Sequence, residues 1–537
     1  MPRFLSLILS RPRMSTPRLL PLLAALALAG CARTPPPAGP AADGTAKQVR
    51  IVATNDFHGR LLPQTPSWAN GRVVGGSAVL AAHFDSAAAR FDGPTFILSG
   101  GDDMQGTAIS NLTWGRSTID AMNAEGYDAA AFGNHEFDWG LDTLRTRVGE
   151  SRFPWLAANL YTAGTATQPR WVKPWTMLQK QGVRVAVIGA ALPSTPEIVM
   201  AGRVRGLHFG PAVPAIDRAA RQARAAGADF VVVTMHVGAR CETPGREAAE
   251  VSQGCAGEVL DIARRLREPV DLILGGHTHQ RVLTSVRGIP VSEAASYSTA
   301  YSVTDLARAG RSARVLRQEV RTPWADEVDP DTALARVVAG WETRVRPLSV
   351  RVVAESAIRM VDGEGEYPLG NLLADAQRAS ADAQVGLVNN GSIRRDLPAG
   401  PLTYGTLYEL QPFQNELVRV TLTGAQLRQA LEEAALTPAG QPEAHVSGMT
   451  VSYDPAAPRG RRIREIRLED GRVLGEGDTV TLGTSEFVAT GGDGFAALEA
   501  GRLERTGVVD LDGLVEYLQR QPQPLQPPAT GRWIAVR

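Results

Sequence analysis

The chain has 537 residues and matches 56 Lys plus Arg with 56 Asp plus Glu, so it carries no formal net charge. That length exceeds what one hydrophobic core organises and implies two or more domains. The balanced charge excludes a protein that holds a nucleic acid polymer by bulk electrostatics, and 44% apolar content is that of a folded chain.

At the N-terminus Arg11, Arg13 and Arg18 precede the apolar run Leu19 to Ala29, which is too short to span a bilayer. A basic stretch, a short apolar stretch and small residues describe a secretory signal, with Met14 as an alternative start. Leu28-Ala29-Gly30-Cys31 resembles a bacterial lipobox, in which Cys31 becomes the lipidated first residue. The expected signal is therefore 1–31, and the Pro- and Gly-rich segment 32–47 reads as a disordered tether. This reading makes the protein exported and lipid-anchored, on the periplasmic or cell-surface side of a membrane. Cys241 and Cys255 then remain, an even pair that an exported chain joins in one disulfide. An ordinary cleaved signal and two reduced thiols are the plainer alternatives.

The next part alternates strands and helices. Strand Val49–Ala53 ends in T-N-D-F-H-G-R, where Asp56 and His58 share a face if the segment is extended. A helix over 75–90 follows, then strand Thr95–Leu98 ending in S-G-G-D-D. Asp102 sits behind those glycines, and its two oxygens could bridge two cations. After a helix at Ser117–Glu125 and a strand at Tyr127–Phe132 comes G-N-H-E-F-D, residues 133–138. Here Asn134 offers a neutral oxygen ligand, His135 stands beside the site, and Asp138 could orient and charge-stabilise His135. Asn134 could instead cap a helix starting near Trp139. Strand Val183–Ile188 leads to a glycine turn, Phe230–Thr234 leads to His236, and Asp271–Leu274 leads to G-G-H-T-H-Q with His277 and His279. His83, His208 and His445 lie elsewhere and read as ordinary core or surface residues.

Strand-end ligands of this kind imply a mainly parallel α/β layer with a metal site on its carboxyl edge. The donor inventory exceeds one tetrahedral site and fits two ions sharing a carboxylate. Mixed nitrogen and oxygen donors without thiolate suit zinc, manganese, cobalt or iron.

In this order D-x-H, G-D, G-N-H-E, a strand-end histidine and G-H-x-H resemble the calcineurin-like metallophosphoesterases. The forms T-N-D-F-H-G, G-N-H-E-F-D and G-G-H-T-H are similar to those of the 5′-nucleotidase family. The resemblance implies a four-layer α/β/β/α metallophosphoesterase domain over 48–325, a linker helix over 326–348 and a C-terminal α+β substrate-binding domain over 349–537. It implies one divalent ion on Asp56, His58, Asp102 and His279, and a second on Asp102, Asn134, His236 and His277. His135 and Asp138 would form a catalytic dyad at the scissile phosphate.

Pro330 to Pro347 has a helical pattern with Asp329 as its cap. Beyond it follow strand Val352–Ser356, a helix over Leu369–Ala376 and strand Val385–Val388, which leads into N-N-G-S-I-R. Arg394 there could grip a phosphate bidentately. Q-P-F-Q-N and E-F-V-A-T-G-G-D-G-F place Phe413 and Phe487 where they could clamp a planar base, or simply fill a core. By resemblance Arg394 meets the substrate's charged end, Asn415 the base and Asp493 the ribose hydroxyls. One departure stands out: some relatives carry arginine shortly before L-G-N, where this chain has G-E-G-E-Y-P, and Arg359 is the nearest substitute.

The expected activity is metal-dependent hydrolysis of a nucleotide phosphoester, of the 5′-nucleotidase type, with UDP-sugars and 2′,3′-cyclic nucleotides in range. The expected partners are the nucleotide and a membrane reached through Cys31, with no nucleic acid polymer and no obligate protein. The rivals are a thiosulfohydrolase or another non-nucleotide phosphoesterase, and a nucleotide-binding surface lipoprotein without turnover.

Overall fold

Alternation along the first strand, Lys47–Thr54, separates two layers: Val49, Ile51 and Ala53 enter one buried cluster and Val52 another, as a two-residue period requires. The computed structural model describes residues 46–245, 248–310 and 312–536, so the lipobox and Cys31 lie outside the described residues. The first strand sits in a sheet ordered Ser312–Arg321, Tyr301–Ala309, Lys47–Thr54, Thr95–Ser99, Ala129–Ala131, Trp155–Leu156. Its last four members run parallel, and the other two pair antiparallel.

A second sheet, ordered Arg281–Val286, Ile289–Ala294, Leu272–Leu274, Phe230–Met235, Val183–Ala190, Trp175–Lys180, packs face to face with the first. Val185, Val187, Val232 and Leu272 from it share a buried cluster with Ile51, Phe96 and Leu98. Helices Ser77–Ala89 and Arg116–Glu125 cover the outer face of the first sheet, and Ala212–Ala225 and Glu258–Arg265 cover that of the second. The order of layers is α/β/β/α. Thr54, Ser99, Ala131, Met235 and Leu274 end parallel strands, and the loops that follow them all open on one edge.

Several local expectations change. Lys47, the last residue of the expected tether, already belongs to the first strand. The strand expected over Tyr127–Phe132 is only Ala129–Ala131. Gly189 does not turn the chain but lies inside its strand, where a Cβ would stand 2.2 Å from the Leu156 carbonyl oxygen. Close approach of two backbones, not turning, explains that glycine.

The helix between the two groups of sheets is Thr332–Ser349, and its cap is Asp331 rather than Asp329. Asp331 Oδ1 accepts the Leu334 N–H at 2.7 Å, which is the reach of an N-cap to the third helical residue; Asp329 stands two residues too early. Leu334, Val338 and Val345 bury one stripe of this helix in the core under the first sheet. The C-terminal half is α+β. Its five-stranded sheet runs Ala444–Ser447, Val385–Asn389, Thr479–Ser485, Glu416–Thr423, Arg502–Val509, with one parallel pair. Cys241 and Cys255 are bonded across a hairpin that follows the Phe230–Met235 strand.

Glu125, the last residue of its helix, has both carboxyl oxygens buried without a hydrogen-bond partner. Burial pushes it up to about 8. The folded state therefore binds more protons than the unfolded state between the ordinary carboxylate range and that value, so stability falls as pH rises across the window. Glu125→Gln removes that slope. Its stability relative to the parent should improve from pH 5 to pH 8 by on the order of a few kcal/mol, read from urea unfolding at each pH; parallel curves would refute the assignment.

Candidate metal centre

Two loops build the first ligand group. Asp56 and His58 follow the first strand, and His279 follows Leu272–Leu274; their ligand atoms all lie within 4.8 Å of one another. Asp102, His236 and His277 form a second such group. His277 and His279 thus part into different groups. The extended backbone expected for the D-x-H pair is not what brings it together: Asp56, His58, Asp102, His277 and His279 all have φ between 49 and 80°. Left-handed backbone at non-glycine residues is uncommon and concentrates at functional sites.

The imidazoles are aimed by their outer nitrogens. His58 Nδ1 donates to the Gln105 carbonyl at 2.6 Å, and His236 Nδ1 to that of Gly100 at 3.0 Å. Each therefore turns Nε2 inward as an acceptor, the arrangement of a metal ligand held from behind. His58 Nε2 stands 3.1 Å from His279 Nε2, His279 Nε2 is 3.3 Å from Asp56 Oδ1, and His236 Nε2 is 2.9 Å from Asp102 Oδ2. Two donors on one tetrahedral ion at zinc bond lengths stand about 3.3 Å apart. His236 Nε2 and Asn134 Oδ1 are also buried without a hydrogen-bond partner, and Asn134 caps no helix through its side chain. Buried donor atoms without a partner, beside side chains at ligand spacing, mark a polar site built for a ligand.

Protonation follows from the same crowding. Burial pushes His277 down to about 4, and burial together with His279 holds His58 well below its ordinary value. Burial opposes charge on His236 as well, but Asp102 outweighs it and lifts that imidazole to about 10. Burial works against ionising Asp56 and Asp102, but the neighbouring histidines overcome it and hold both carboxylates low. Ionised carboxylates and neutral imidazoles are the states that ligate divalent cations, so His236 must give up its proton when a cation binds. The set fits two divalent ions.

Asp102 also reaches His135: its Oδ1 accepts the His135 N–H at 2.8 Å while Oδ2 faces His236. Gly133 permits this approach, since a Cβ there would lie 2.1 Å from Asp102 Oδ1. His135 Nδ1 and Asp138 Oδ2 are 2.7 Å apart. Burial opposes protonation of His135, but Asp102 and Asp138 outweigh it and raise the imidazole above its ordinary value.

Two buried carboxylates with no expected role organise these loops. Glu136 Oε2 accepts the N–H groups of Asp102 and Gly133 at 2.9 and 2.7 Å, and Oε1 accepts that of Asp103 at 2.8 Å. Glu293 Oε1 accepts from Thr278 N and Oγ1 at 3.1 and 2.6 Å, while Oε2 takes the Ala239 N–H at 3.2 Å. Glu136 lies inside G-N-H-E-F-D and could have been singled out from that; nothing in the sequence marks Glu293.

Beside the ligand groups opens a cavity of about 420 Å³. Asn134, His135, Asp138 and His277 line it from one half of the chain, and Arg394, Phe413, Asn415, Phe487 and Asp493 from the other. The Phe413 ring stacks on His135 at 5.6 Å and 25°. Asp493 accepts from Asn389 Nδ2. Arg359 is not among the residues lining this cavity and pairs with Asp396 instead.

Residues 349–500 match the family described as 5′-nucleotidase, C-terminal domain. Residues 78–293 match bacterial capsule synthesis protein PGA_cap, a span that takes in Asp102, Asn134, His236, His277 and His279 but not Asp56 or His58. Over 509 residues the chain is 28% identical to endonuclease YhcR of Bacillus subtilis, covering 90% of itself but only 40% of that protein. It is 26% identical to a 5′-nucleotidase of Vibrio vulnificus over 540 residues, 92% of this chain and 94% of the other. The crystal structure of a 5′-nucleotidase precursor from Thermus thermophilus matches with a TM-score of 0.79 at 26% identity, covering 91% of this chain and 99% of that one.

Glu136→Gln should weaken metal binding about 10–100-fold by turning amide hydrogens toward backbone N–H groups that need an acceptor. Competition with a fluorescent chelator measures this; unchanged affinity would remove the glutamate's positioning role.

Proposed function

Since this chain is a homologue of the 5′-nucleotidases, within the calcineurin-like metallophosphoesterases, we propose that it hydrolyses nucleoside phosphates at the two ligand groups. The observation that carries the reading is the single cavity lined by Asn134, His135, Asp138 and His277 on one side and by Arg394, Phe413, Asn415, Phe487 and Asp493 on the other. It supports a substrate with phosphate at one end and a planar, hydroxylated body at the other. Two divalent ions on Asp56, His58, Asp102, Asn134, His236, His277 and His279 would supply Lewis acidity toward the phosphoryl group and an attacking water.

The remaining work falls to the chain. His135, raised by its acidic neighbours, holds a proton toward the phosphate oxygens or the leaving group, and Asp138 fixes its orientation. Arg394 remains a cation at any working pH and grips charge developing on phosphate. Phe487 offers a stacking face, Asn415 hydrogen bonds to the base edge, and Asp493 a carboxylate to the ribose hydroxyls.

We also propose the domain division 48–325, 326–348 and 349–537, and export with a lipid anchor at Cys31. The Cys241–Cys255 bond supports an oxidising compartment. Among the described residues no helix is long and apolar enough to cross a membrane. Labelled palmitate should enter the wild-type protein and not Cys31→Ser; equal labelling would overturn the anchor.

Phosphate release from AMP and UDP-glucose with Mn²⁺, Co²⁺ or Zn²⁺ tests the activity. His135→Ala should lower kcat about 10²–10⁴-fold with metal content unchanged. Phe487→Ala should raise KM for AMP roughly tenfold, the worth of one stacked base, and leave p-nitrophenyl phosphate hydrolysis unaffected. Equal effects on both substrates would favour the non-nucleotide phosphoesterase reading.

A further inference from the structure

On the other side of Arg394 lies a second cavity, of about 710 Å³. Arg60, Arg359, Arg394 and Arg395 line it, together with the carboxylates of Asp396 and Glu409. Four guanidiniums against two carboxylates leave a net positive pocket. Arg394 lines this cavity and the one beside the metal ligands, so the same cation faces both.

The internal pairing leaves capacity unused. Arg359 pairs with Asp396 at 2.5 Å and Arg395 pairs closely with Glu409. Arg60 reaches that same Glu409 only at 3.9 Å, and its Nε is buried without a hydrogen-bond partner. A buried guanidinium N–H left unpaired is costly and calls for an acceptor. Tyr297 connects the cavity to the metal ligands: its ring stacks on His58 at 4.8 Å, and the Arg60 guanidinium lies 5.5 Å from its centre.

We propose that this cavity is a second phosphate site, built to hold a tetrahedral oxyanion next to the reaction centre. Guanidinium forks match phosphate oxygens in geometry and charge. The anion comes from one of two sources: orthophosphate leaving the centre, or a phosphate beyond the scissile one in a nucleoside polyphosphate. This deepens the nucleotide-hydrolase reading and rests on it for the source of the anion, while the binding itself can be measured without turnover.

The probe is pyrophosphate, titrated by calorimetry into chelator-treated full-length protein at low salt. Arg395→Gln and Arg359→Gln, both on partly exposed side chains, should each weaken binding roughly ten- to hundredfold, the scale of one charge-assisted hydrogen bond. Arg502→Gln, at a side chain that is 72% exposed and paired with Glu504, should leave it unchanged. Unchanged affinity in both cavity variants, or an equal fall in Arg502→Gln, overturns the site. With metal-loaded enzyme, a fall in kcat/KM for ADP but not AMP assigns it to the distal phosphate. Weaker inhibition by orthophosphate at a constant ADP-to-AMP ratio assigns it to the product. Failure to hydrolyse any nucleotide would remove the proposed function and leave the calorimetric result standing.

Discussion

Left-handed backbone at Asp56, His58, Asp102, His277 and His279 is the constraint on which the centre depends. Each such residue costs on the order of 1–3 kcal/mol and persists only where its surroundings over-determine it. Here the surroundings are identifiable. The Glu136 carboxylate ties Asp102 and Asp103 to Gly133, and that of Glu293 ties the loop after Leu272–Leu274 to the loop carrying His236. Asp56 itself accepts the His277 N–H at 2.9 Å, joining the two ligand groups through the backbone. The strain is local, and two packed sheets hold it in place.

Those sheets explain why the loops meet. Parallel strands from both sheets end on one edge, and the shared core of Ile51, Phe96, Leu98, Val187 and Val232 fixes the sheets against each other. The helix Thr332–Ser349 packs its stripe of Leu334, Val338 and Val345 into the same half, so it is part of that body rather than a free tether. The C-terminal half then closes the open side, where Phe413 lies on His135 and Arg394 reaches between two cavities.

Much of this was legible in the sequence, for a physical reason. A strand followed by glycine and a histidine or carboxylate is a local pattern, and a parallel sheet gathers such loops without further instruction. Which residues come together could therefore be read, while how their atoms are spent could not. Asp102 gives one oxygen to the His135 N–H, a contact between loops more than thirty residues apart. Glu293 was invisible because its partners are mostly backbone N–H groups, which no side-chain motif records. Asp331 displaced Asp329 as the helix cap by two residues because capping depends on the reach of one carboxylate to one N–H. Arg359 fell on the far side of Arg394 because Asp396, distant in sequence, holds it there.

His277 and His279 fall in different ligand groups, and the proposed centre requires each to hold a different ion. Metal per chain, counted by plasma mass spectrometry after manganese loading and desalting, tests this most directly. The wild-type protein should hold two ions, His277→Ala and His279→Ala about one each, and the double variant none. One ion in the wild-type protein, or loss of both ions from either single variant, would contradict it.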